Sequence, residues 1–205
     1  MGRLRRQAMR VLVIHCHPDP ESFNRVLLNT AVGALTAVGH VVDLIDLYAD
    51  GFDARLSAAE RAVYETADPI LDPLVRKYAD LVLGAEALVF VYPTWWWGMP
   101  AMLKGWLERV MVTGVAFTLN PATGKVKPNL NKVIRVVGIT TYGSPRWAMF
   151  GFNDAGRRLV TRCVRILANR VRCRSKWLGL YDLDTCTNDD RVAFVERVRS
   201  EMAAL

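Results

Sequence analysis

Along the chain, short and nearly continuous apolar runs alternate with segments whose apolar positions repeat with the period of a helix. These segments predict strands and helices in turn. Residues 10–14 and 87–92 are nearly continuous apolar runs, which are typical of strands buried on both faces of a sheet. Residues 101–111 instead repeat their apolar positions with the period of a helix. A buried strand, a loop rich in Pro, Gly and Trp, and a helix therefore predict one βα unit of a parallel sheet.

The remaining blocks extend this alternation over the whole chain. Ser22 or Asn24 can cap the first helix, and Ser57 with Glu60 forms a capping-box pattern before a later one. Residues 113–128 form a turn-rich excursion without a predicted strand. Further strands are predicted at 41–47, 132–139 and 171–180, and helices at 25–38, 75–84, 154–168 and 189–203, the last capped by Asn188.

Five predicted strands separated by helices indicate an α/β fold with a doubly wound parallel sheet in three α/β/α layers. The flavodoxin-like strand order 2-1-3-4-5 suits this number of strands and this length. Ligands in that order bind at the carboxyl ends of the strands, so the loops after strands 1, 3 and 4 would meet. These loops are 15–24, 93–100 and 140–145, and their unusual composition predicts a cofactor site.

Composition favours a single globular domain. The chain has 205 residues, of which 52% are apolar, and no apolar run approaches the ~20 residues of a membrane helix. We expect residues 10–205 to form one domain and the basic residues 1–9 to be flexible. The first apolar run is too short for a signal peptide, and the cysteines form no paired motif, which favours a cytoplasmic protein with free thiols.

Positive charge is concentrated in one segment of the chain. The net charge is +7, and residues 157–176 contain eight Arg or Lys but no Asp or Glu. Such a segment is typical of a solvated helix face, while a phosphate-rich partner, an acidic protein or an anionic membrane surface stays open. We expect no nucleic-acid partner, because neither a recognised binding motif nor interleaved aromatic residues accompany the charge.

The first of the three loops has the chemistry of a phosphate site. Ser22, Phe23 and Asn24 open a helix, whose free N–H groups and dipole attract an anion. His17 can add an imidazole N–H, although helix capping alone also explains Ser22 and Asn24. The loop matches neither the Walker nor the Rossmann glycine pattern. The His-Cys-His run at 15–17 predicts no metal site, because alternate strand residues face opposite ways and no third ligand is evident.

The second loop carries three tryptophans in succession, Trp95, Trp96 and Trp97. Packing against a helix or a second subunit would explain some of these indoles. Adjacent side chains cannot all point the same way, so at least one should meet solvent, a partner chain or a flat ligand. A planar heteroaromatic cofactor, edged by backbone N–H groups and faced by indole, fits such a loop.

Three motifs together resemble a known family. HPDPESFN at 17–24, YPTWWWGMPAMLKGWLERV at 92–110 and ITTYG at 139–143 resemble, in order and spacing, the flavodoxin-like NAD(P)H:quinone oxidoreductases. This family includes the mammalian quinone reductases and bacterial flavoproteins that accompany potassium-efflux antiporters. The resemblance implies a homodimer with non-covalent FMN or FAD at its interface, which passes hydride from NADH or NADPH to a quinone-like acceptor by a ping-pong mechanism.

The resemblance also implies roles for particular residues. The flavin phosphate and ribityl chain would lie at the first loop, the isoalloxazine edge at the second and its pyrimidine end at the third. Donors at the pyrimidine end would stabilise negative charge as the flavin accepts hydride. The implied cofactor-binding residues are His17, Ser22, Phe23 and Asn24 in the first loop, Pro93, Thr94, Trp95, Trp96 and Trp97 in the second, and Thr140, Thr141, Tyr142 and Gly143 in the third.

The chain departs from the mammalian members of this family around the expected substrate. Residues 144–156 lack the Tyr and His that are proposed to assist hydride transfer there, and Tyr142 replaces a Gly. No catalytic side chain is therefore assigned, and Tyr142 is the candidate for assistance. Phe117 and Leu119 replace two pocket tyrosines and, with Trp147, predict a more apolar substrate pocket.

Other functions stay open on the sequence. A flavodoxin-type electron carrier would share the fold, but it usually has a T-x-T-G-x-T loop and an acidic surface, whereas this chain has a pI near 9.5. A regulatory subunit of a potassium-efflux antiporter would bind a membrane partner. An azo- or nitroreductase would use the same flavin site with another acceptor.

Overall fold

The protein is described by a computed structural model for residues 7–120, 122–169 and 171–205. Residues 1–6 lie outside this part, so the expected flexibility of residues 1–9 stays a prediction. The strands are β1 (Arg10–His15), β2 (Val41–Asp46), β3 (Ala87–Pro93), β4 (Phe117–Leu119), β5 (Val126–Pro128), β6 (Arg135–Thr141) and β7 (Arg174–Leu180). The helices are α1 (Phe23–Ala37), α2 (Ala58–Val63), α3 (Pro73–Gly84), α4 (Ala101–Val110), α5 (Arg146–Gly151), α6 (Ala155–Arg158), a π-helical stretch (Leu159–Val164), α7 (Arg165–Leu167) and α8 (Asn188–Ala203).

The five predicted strands form one parallel sheet in the order β2-β1-β3-β6-β7. Counted among the strands of this sheet, the order is the predicted 2-1-3-4-5, so the fold class is confirmed. On β1, which lies between β2 and β3, Val13 pairs with Leu44 on one side and with Val89 on the other. β4 and β5 form a separate antiparallel hairpin where no strand was predicted, because runs of three residues are too short to show a period.

Helices cover both faces of the sheet, because alternate strand residues point to opposite sides. On one face, Leu12, Phe90 and Trp106 belong to a core cluster that includes residues of α3, α4 and the π-helical stretch. On the other face, Val13 and Leu27 belong to a cluster that includes residues of α1 and α8. Within the described ranges, no helix has the length and apolar character needed to cross a membrane.

The helix ends follow the capping signals in the sequence, with one correction. Ser22 caps α1, where its Oγ accepts a 3.2 Å hydrogen bond from the backbone N–H of Arg25. The capping box predicted at the start of α2 is present. The cap of α8 is Thr187 and not the predicted Asn188, because Thr187 and Asp190 exchange side-chain and backbone hydrogen bonds in a second capping box.

The segment after β6 differs from its prediction. α5 lies in residues for which no helix was predicted, and the single helix predicted at 154–168 is divided among α6, the π-helical stretch and α7. The π-helical stretch leaves the α-helical bonding pattern, and the carbonyl of Thr161 there accepts a 3.2 Å hydrogen bond from Ser175 Oγ on β7. The apolar periodicity of residues 154–168 could not reveal a hydrogen bond to Ser175, because that residue lies on a strand outside the segment.

Arg109 was expected away from the apolar face of α4, but it is buried. Its guanidinium donates to Glu60 over 2.6 Å and to Asp72 over 2.8 Å, and its Cζ lies 5.3 Å from the ring centroid of Phe52. These contacts hold the segment between β2 and α3 against α4. Periodicity could not reveal the burial, because the carboxylate partners are 49 and 37 residues away.

Candidate functional site

The three unusual loops meet at the carboxyl ends of β1, β3 and β6. The backbone N–H of Thr94 donates to the carbonyl of Thr141 over 2.8 Å, and the hydroxyls of Thr94 and Thr140 are 3.0 Å apart. The ring centroids of His17 and Trp95 are 5.9 Å apart. These contacts join the second loop to both of the others, so the structure brings together the loops that the strand order was expected to bring together.

The first loop holds a buried amide that has no partner within the described residues. Asn24, the second residue of α1, is 3% exposed, and neither its Oδ1 nor its Nδ2 forms a hydrogen bond there. Buried polar groups in proteins are nearly always hydrogen-bonded. The N-terminus of α1 adds free N–H groups and a positive dipole end. The position therefore fits the phosphate of a nucleotide-like ligand.

His17, Ser22 and Phe23, the other predicted residues of the first loop, have three different environments. The Nδ1 of His17 accepts a 3.0 Å hydrogen bond from the backbone N–H of Asp19, so in the neutral ring Nε2 carries the proton and can donate to a ligand. Ser22 caps α1 with its hydroxyl. Phe23 packs against the core cluster on the α1 side of the sheet, so it shapes the loop from behind.

A buried polar cluster lies beneath the first loop, and the sequence analysis assigned it no role. Arg25 Nη1 is 2.7 Å from Asp46 Oδ2, and His15 Nδ1 is 3.5 Å from Asp46 Oδ1. Burial lowers the pKa of His15 to about 4, against the opposing attraction of the Asp46 carboxylate, so the ring is neutral at pH 7. The sequence did hold one signal for this cluster. Asp46 ends β2, and the predicted strand order places β2 next to β1, which ends at His15.

Trp96 and Trp97 occupy the two central positions of a tight turn. Trp95 and Gly98 exchange two backbone hydrogen bonds of 3.0 Å across it. The φ angles of Trp96 and Trp97 are 48° and 55°, a left-handed conformation that bulky residues rarely adopt and that is often found at functional sites. Trp96 is 91% exposed, and Trp95 and Trp97 are each 41% exposed. The turn therefore presents indole surface outward, to a ligand or a partner chain.

A cleft of about 270 Å³ opens between the second and third loops. Its walls combine indole and phenol rings with hydroxyl and backbone groups, the mixture found at small-molecule sites. Ser144 and Met149 were not predicted as site residues, and Met149 reaches the cleft from α5, a helix that was itself not predicted. The lining residues are Thr94, Trp96, Trp97, Tyr142, Gly143, Ser144 and Met149.

Tyr142 is buried at the edge of this cleft and held from three sides. Its hydroxyl donates to Asp154 Oδ2 over 2.7 Å and accepts from Trp177 Nε1 over 2.9 Å. Its ring stacks on Tyr181, with centroids 4.4 Å apart. Burial, reinforced by the hydrogen bond to Asp154, raises the pKa of Tyr142, so the phenol stays protonated at neutral pH. These partners lie 12 to 39 residues away in the sequence, so no local motif pointed to them.

The remaining predicted site residues lie at the rim or in the supporting strands. Pro93, Thr140 and Thr141 are buried at the ends of β3 and β6. An added Cβ at Gly143 would approach Asp184 Oδ2 to 2.8 Å, so the third loop runs close to that carboxylate.

The predicted substrate-pocket residues do not line the cleft within this one chain. Phe117 and Leu119 lie on β4, where Phe117 packs against the core, and Trp147 is 78% exposed on α5. Their assignment to a substrate pocket stays a prediction.

Residues 9–166 match the protein family described as having the flavodoxin-like fold. The chain belongs to this family. Among curated proteins, this flavodoxin-like chain is 33% identical to NAD(P)H dehydrogenase (quinone) 1 of Rattus norvegicus over an alignment 150 residues long, which covers 66% of the chain and 54% of the relative. The chain spans about half the length of the curated relatives it matches.

Solved structures cover nearly the whole of this flavodoxin-like chain. The Smu.1420 protein of Streptococcus mutans has a TM-score of 0.81 and 29% identity, over 96% of this chain and 100% of that one. The FMN-dependent NADH-azoreductase of Bacillus anthracis, solved in complex with FMN, has a TM-score of 0.74 over 95% of this chain and 98% of that one. Its identity is 14%, so this likeness concerns the fold alone.

Proposed function

We propose that the protein is a flavin-dependent oxidoreductase that takes hydride from NADH or NADPH and passes two electrons to a quinone-like acceptor in a ping-pong sequence. The observation that carries the proposal is the buried amide of Asn24 at the start of α1, which has no partner among the described residues and lies on the same edge of the sheet as the aromatic cleft. An anion site beside an aromatic cleft suits a flavin, which joins a phosphate to a flat ring system. The name of the rat relative, NAD(P)H dehydrogenase (quinone) 1, supports the same reaction class.

The first loop would hold the phosphate end of the cofactor. The amide of Asn24 and the free N–H groups in the first turn of α1 would bind the phosphate oxygens, and His17 Nε2 would be a further donor. The buried cluster of His15, Asp46 and Arg25 supports this loop from below. The N–H of Arg25 is taken by Ser22, whereas the backbone N–H groups of Phe23 and Asn24 have no partner among the described residues and would be available to the ligand.

The second and third loops would hold the ring system. Within the described residues, the N–H groups of Trp96 and Trp97 form no backbone hydrogen bond, so both can donate to the edge of a planar ligand. Their indoles would cover one face of the ring or the bound acceptor. Tyr142 would position the third loop, because its hydroxyl proton is committed to Asp154.

When bound, the flavin would supply the two-electron transfer between the nicotinamide donor and the acceptor. The role of this chain would be to bind and orient the flavin and to stabilise the charge that develops on it. Donors of the third loop, the hydroxyl of Thr140 and the backbone N–H of Gly143, would oppose the negative charge that develops at the pyrimidine end during reduction. Apolar walls around Met149 would limit the access of water.

We further propose that the site is completed in a cytoplasmic homodimer. Three aromatic side chains near the cleft project from the surface, Trp96 at 91%, Phe150 at 87% and Trp147 at 78% exposure. Exposed apolar groups of this size mark interaction surfaces. A second copy that covered them would enclose the 270 Å³ cleft, and the free thiols of the chain fit a reducing compartment. A potassium-antiporter partner stays a prediction from the sequence.

Titration with FMN and FAD, followed by steady-state kinetics, tests the proposal. FMN is the first ligand to try, since the Bacillus anthracis azoreductase of the same fold was solved with it. We expect saturable binding of one flavin per chain and oxidation of NADH or NADPH with a soluble quinone, giving parallel double-reciprocal plots. A folded protein that refuses both flavins would defeat the proposal. Flavin binding without turnover of quinone, azo or nitro acceptors would instead favour a carrier or regulatory role.

A further inference from the structure

A second and larger cavity, of about 630 Å³, lies between the π-helical stretch and β7. Its volume is in the range of small-molecule sites. It shares no lining residue with the cleft, although a third hollow shares Met149 with the cleft and Arg157, Thr161 and Arg162 with this cavity. We call it the arginine cavity, after Arg157, Arg162 and Arg165 in its wall.

The arginine cavity carries an excess of positive charge. Asp154 lines an adjoining hollow together with Arg157 and Arg162, but among the described residues its carboxylate forms no ion pair with their side chains. Arg157, Arg162 and Arg165 take part in none of the ion pairs found there. No Asp or Glu occurs between residues 157 and 176. Like charges that line one concave surface repel each other and concentrate an anion. Guanidinium groups in particular match the geometry of phosphate oxygens.

The backbone that carries these arginines is tied to the sheet. Ser175 Oγ on β7 donates to the carbonyl of Thr161 over 3.2 Å, and Thr161 Oγ1 donates to the carbonyl of Arg157 over 2.7 Å. Both hydroxyl residues line the cavity. π-Helical stretches are rare and occur often at functional sites, where they change the direction of side chains. The cavity wall is therefore a fixed frame from which the guanidinium groups extend.

Trp177 supplies an aromatic wall at the same cavity. Its indole is held by the hydrogen bond from Nε1 to the Tyr142 hydroxyl and by an edge-on contact with Tyr92, whose ring centroid is 6.3 Å away. A fixed indole offers a flat apolar surface with little further entropy to lose on binding. Aromatic surface next to several guanidinium groups suits a ligand with a flat base and phosphate groups.

We propose that the arginine cavity binds a nucleotide with two or more phosphate groups, as a site separate from the flavin cleft. Arg157, Arg162 and Arg165 contact the phosphates, and Trp177 lies beside the base. The concave shape favours this ligand over a membrane surface, which would need the charges on a flat or convex face.

Calorimetric titration of the folded protein with ADP at low salt tests the proposal, with and without saturating FMN. One ADP binds per chain, and FMN does not change its affinity. Arg162→Ala and Arg165→Ala each weaken ADP binding roughly tenfold, since each removes one charge-assisted contact. Arg199→Ala is the matched control, because Arg199 is also exposed but is paired with Glu196 on α8. The affinity falls as salt screens the arginines.

Inorganic pyrophosphate and Trp177→Leu separate the two halves of the proposed ligand. Trp177→Leu weakens ADP binding but leaves pyrophosphate binding intact, and the intact pyrophosphate binding also shows that the variant is folded. The role of the indole is contradicted if Trp177→Leu weakens ADP and pyrophosphate binding equally, or if the wild-type protein binds both ligands with equal affinity.

Three other results overturn the arginine cavity as a nucleotide site. These are the absence of saturable ADP binding, displacement of ADP by FMN, and unchanged ADP affinity in both arginine variants. A protein that does not bind ADP could still co-sediment with anionic phospholipid vesicles. If Arg162→Ala and Arg165→Ala abolished that co-sedimentation, this face would be assigned to a membrane surface instead. Because the ADP titration without FMN needs neither flavin nor turnover, failure of the flavin proposal leaves that titration and its arginine variants as a valid test.

Discussion

The hydroxyl of Tyr142 donates a 2.7 Å hydrogen bond to Oδ2 of Asp154, and both residues are buried. The other oxygen of the same carboxylate accepts the backbone N–H of Arg157 over 3.1 Å and so caps α6. One side chain thus fixes the third loop of the cleft to the start of the basic helical segment. Because Trp177 also donates to the Tyr142 hydroxyl, a single hydrogen-bond network joins the cleft to the arginine cavity.

Removal of the Tyr142 hydroxyl should destabilise the protein. Tyr142→Phe leaves the Trp177 N–H and one oxygen of Asp154 without their partner, so we expect the free energy of unfolding to fall by about 1–3 kcal/mol. Urea denaturation followed by far-UV circular dichroism measures the change. Tyr181→Phe is the control, because Tyr181 contributes its ring to the stack and its hydroxyl makes no hydrogen bond among the described contacts. Equal stability of both variants would show that the network contributes little.

Asn24→Asp should weaken flavin binding. A carboxylate at this buried position would face the bound phosphate, and repulsion between two such charges a few ångströms apart costs about 1 kcal/mol or more, so the dissociation constant should rise roughly fivefold or more. Quenching of flavin fluorescence measures the dissociation constant. Asn29→Asp makes the same chemical change at an exposed position of α1 and should leave it nearly unchanged. If both variants bind FMN like the wild type, Asn24 has only a structural role.

Two glycines in helices should respond in opposite directions to alanine. At Gly105 on α4 an added Cβ would overlap the backbone carbonyl of Ala54 and lie 2.7 Å from its Cβ, so Gly105→Ala should destabilise by about 1–3 kcal/mol. At Gly33 on α1 an added Cβ would meet no described atom within 4 Å apart from its chain neighbours and the backbone of its own helix, and Gly33→Ala should stabilise by about 0.5–1 kcal/mol through helix propensity. Thermal melts of both variants compare them directly. A neutral Gly105→Ala would mean that the segment around Ala54 can move away from α4.

Protonation of His15 should make the fold sensitive to mild acid. Burial lowers the pKa of folded His15 to about 4, whereas an unfolded His titrates near 6.5. Between these values the unfolded chain binds more protons than the folded chain. The free energy of unfolding should therefore fall as the pH is lowered from about 6.5 to about 4, by roughly 3 kcal/mol at most, with no contribution from His15 above pH 6.5.

Urea denaturation at several pH values between 4 and 7 measures this slope. His15→Gln should flatten it, because the buried titrating group is gone. His17→Gln, two residues along the same loop, is the control and should retain the slope of the wild type. A slope that persists in His15→Gln would assign the acid sensitivity to other groups.

Much of the sheet could be predicted because its signal is local. Strands such as β1 and β3 are buried on both faces, so their sequences are apolar without interruption, and the intervening helices show their own period. The number of alternations then restricts the topology to a doubly wound order, which the structure has. The meeting of the three loops followed from that order, since the carboxyl ends of parallel strands share one edge.

Features that depend on contacts between distant residues could not be predicted in this way. The apolar pattern placed Arg109 outside the core, yet Glu60 and Asp72 neutralise it there. A bond from Ser175 accompanies the π-helical stretch inside a segment that has ordinary helical composition. The left-handed turn at Trp96 and Trp97 runs against the preference of both residues for negative φ.

From residue order alone, the chain already determines its sheet topology and the three loops that meet at the carboxyl ends of β1, β3 and β6. The pattern of alternate or continuous apolar residues is set by neighbours in the sequence, so it can be recognised without the folded structure. The neutral state of His15, the buried amide of Asn24 without a partner among the described residues, and the arginine cavity arise only when segments from different parts of the chain come together. Electrostatic environment depends on distance in space, and the folded arrangement sets those distances.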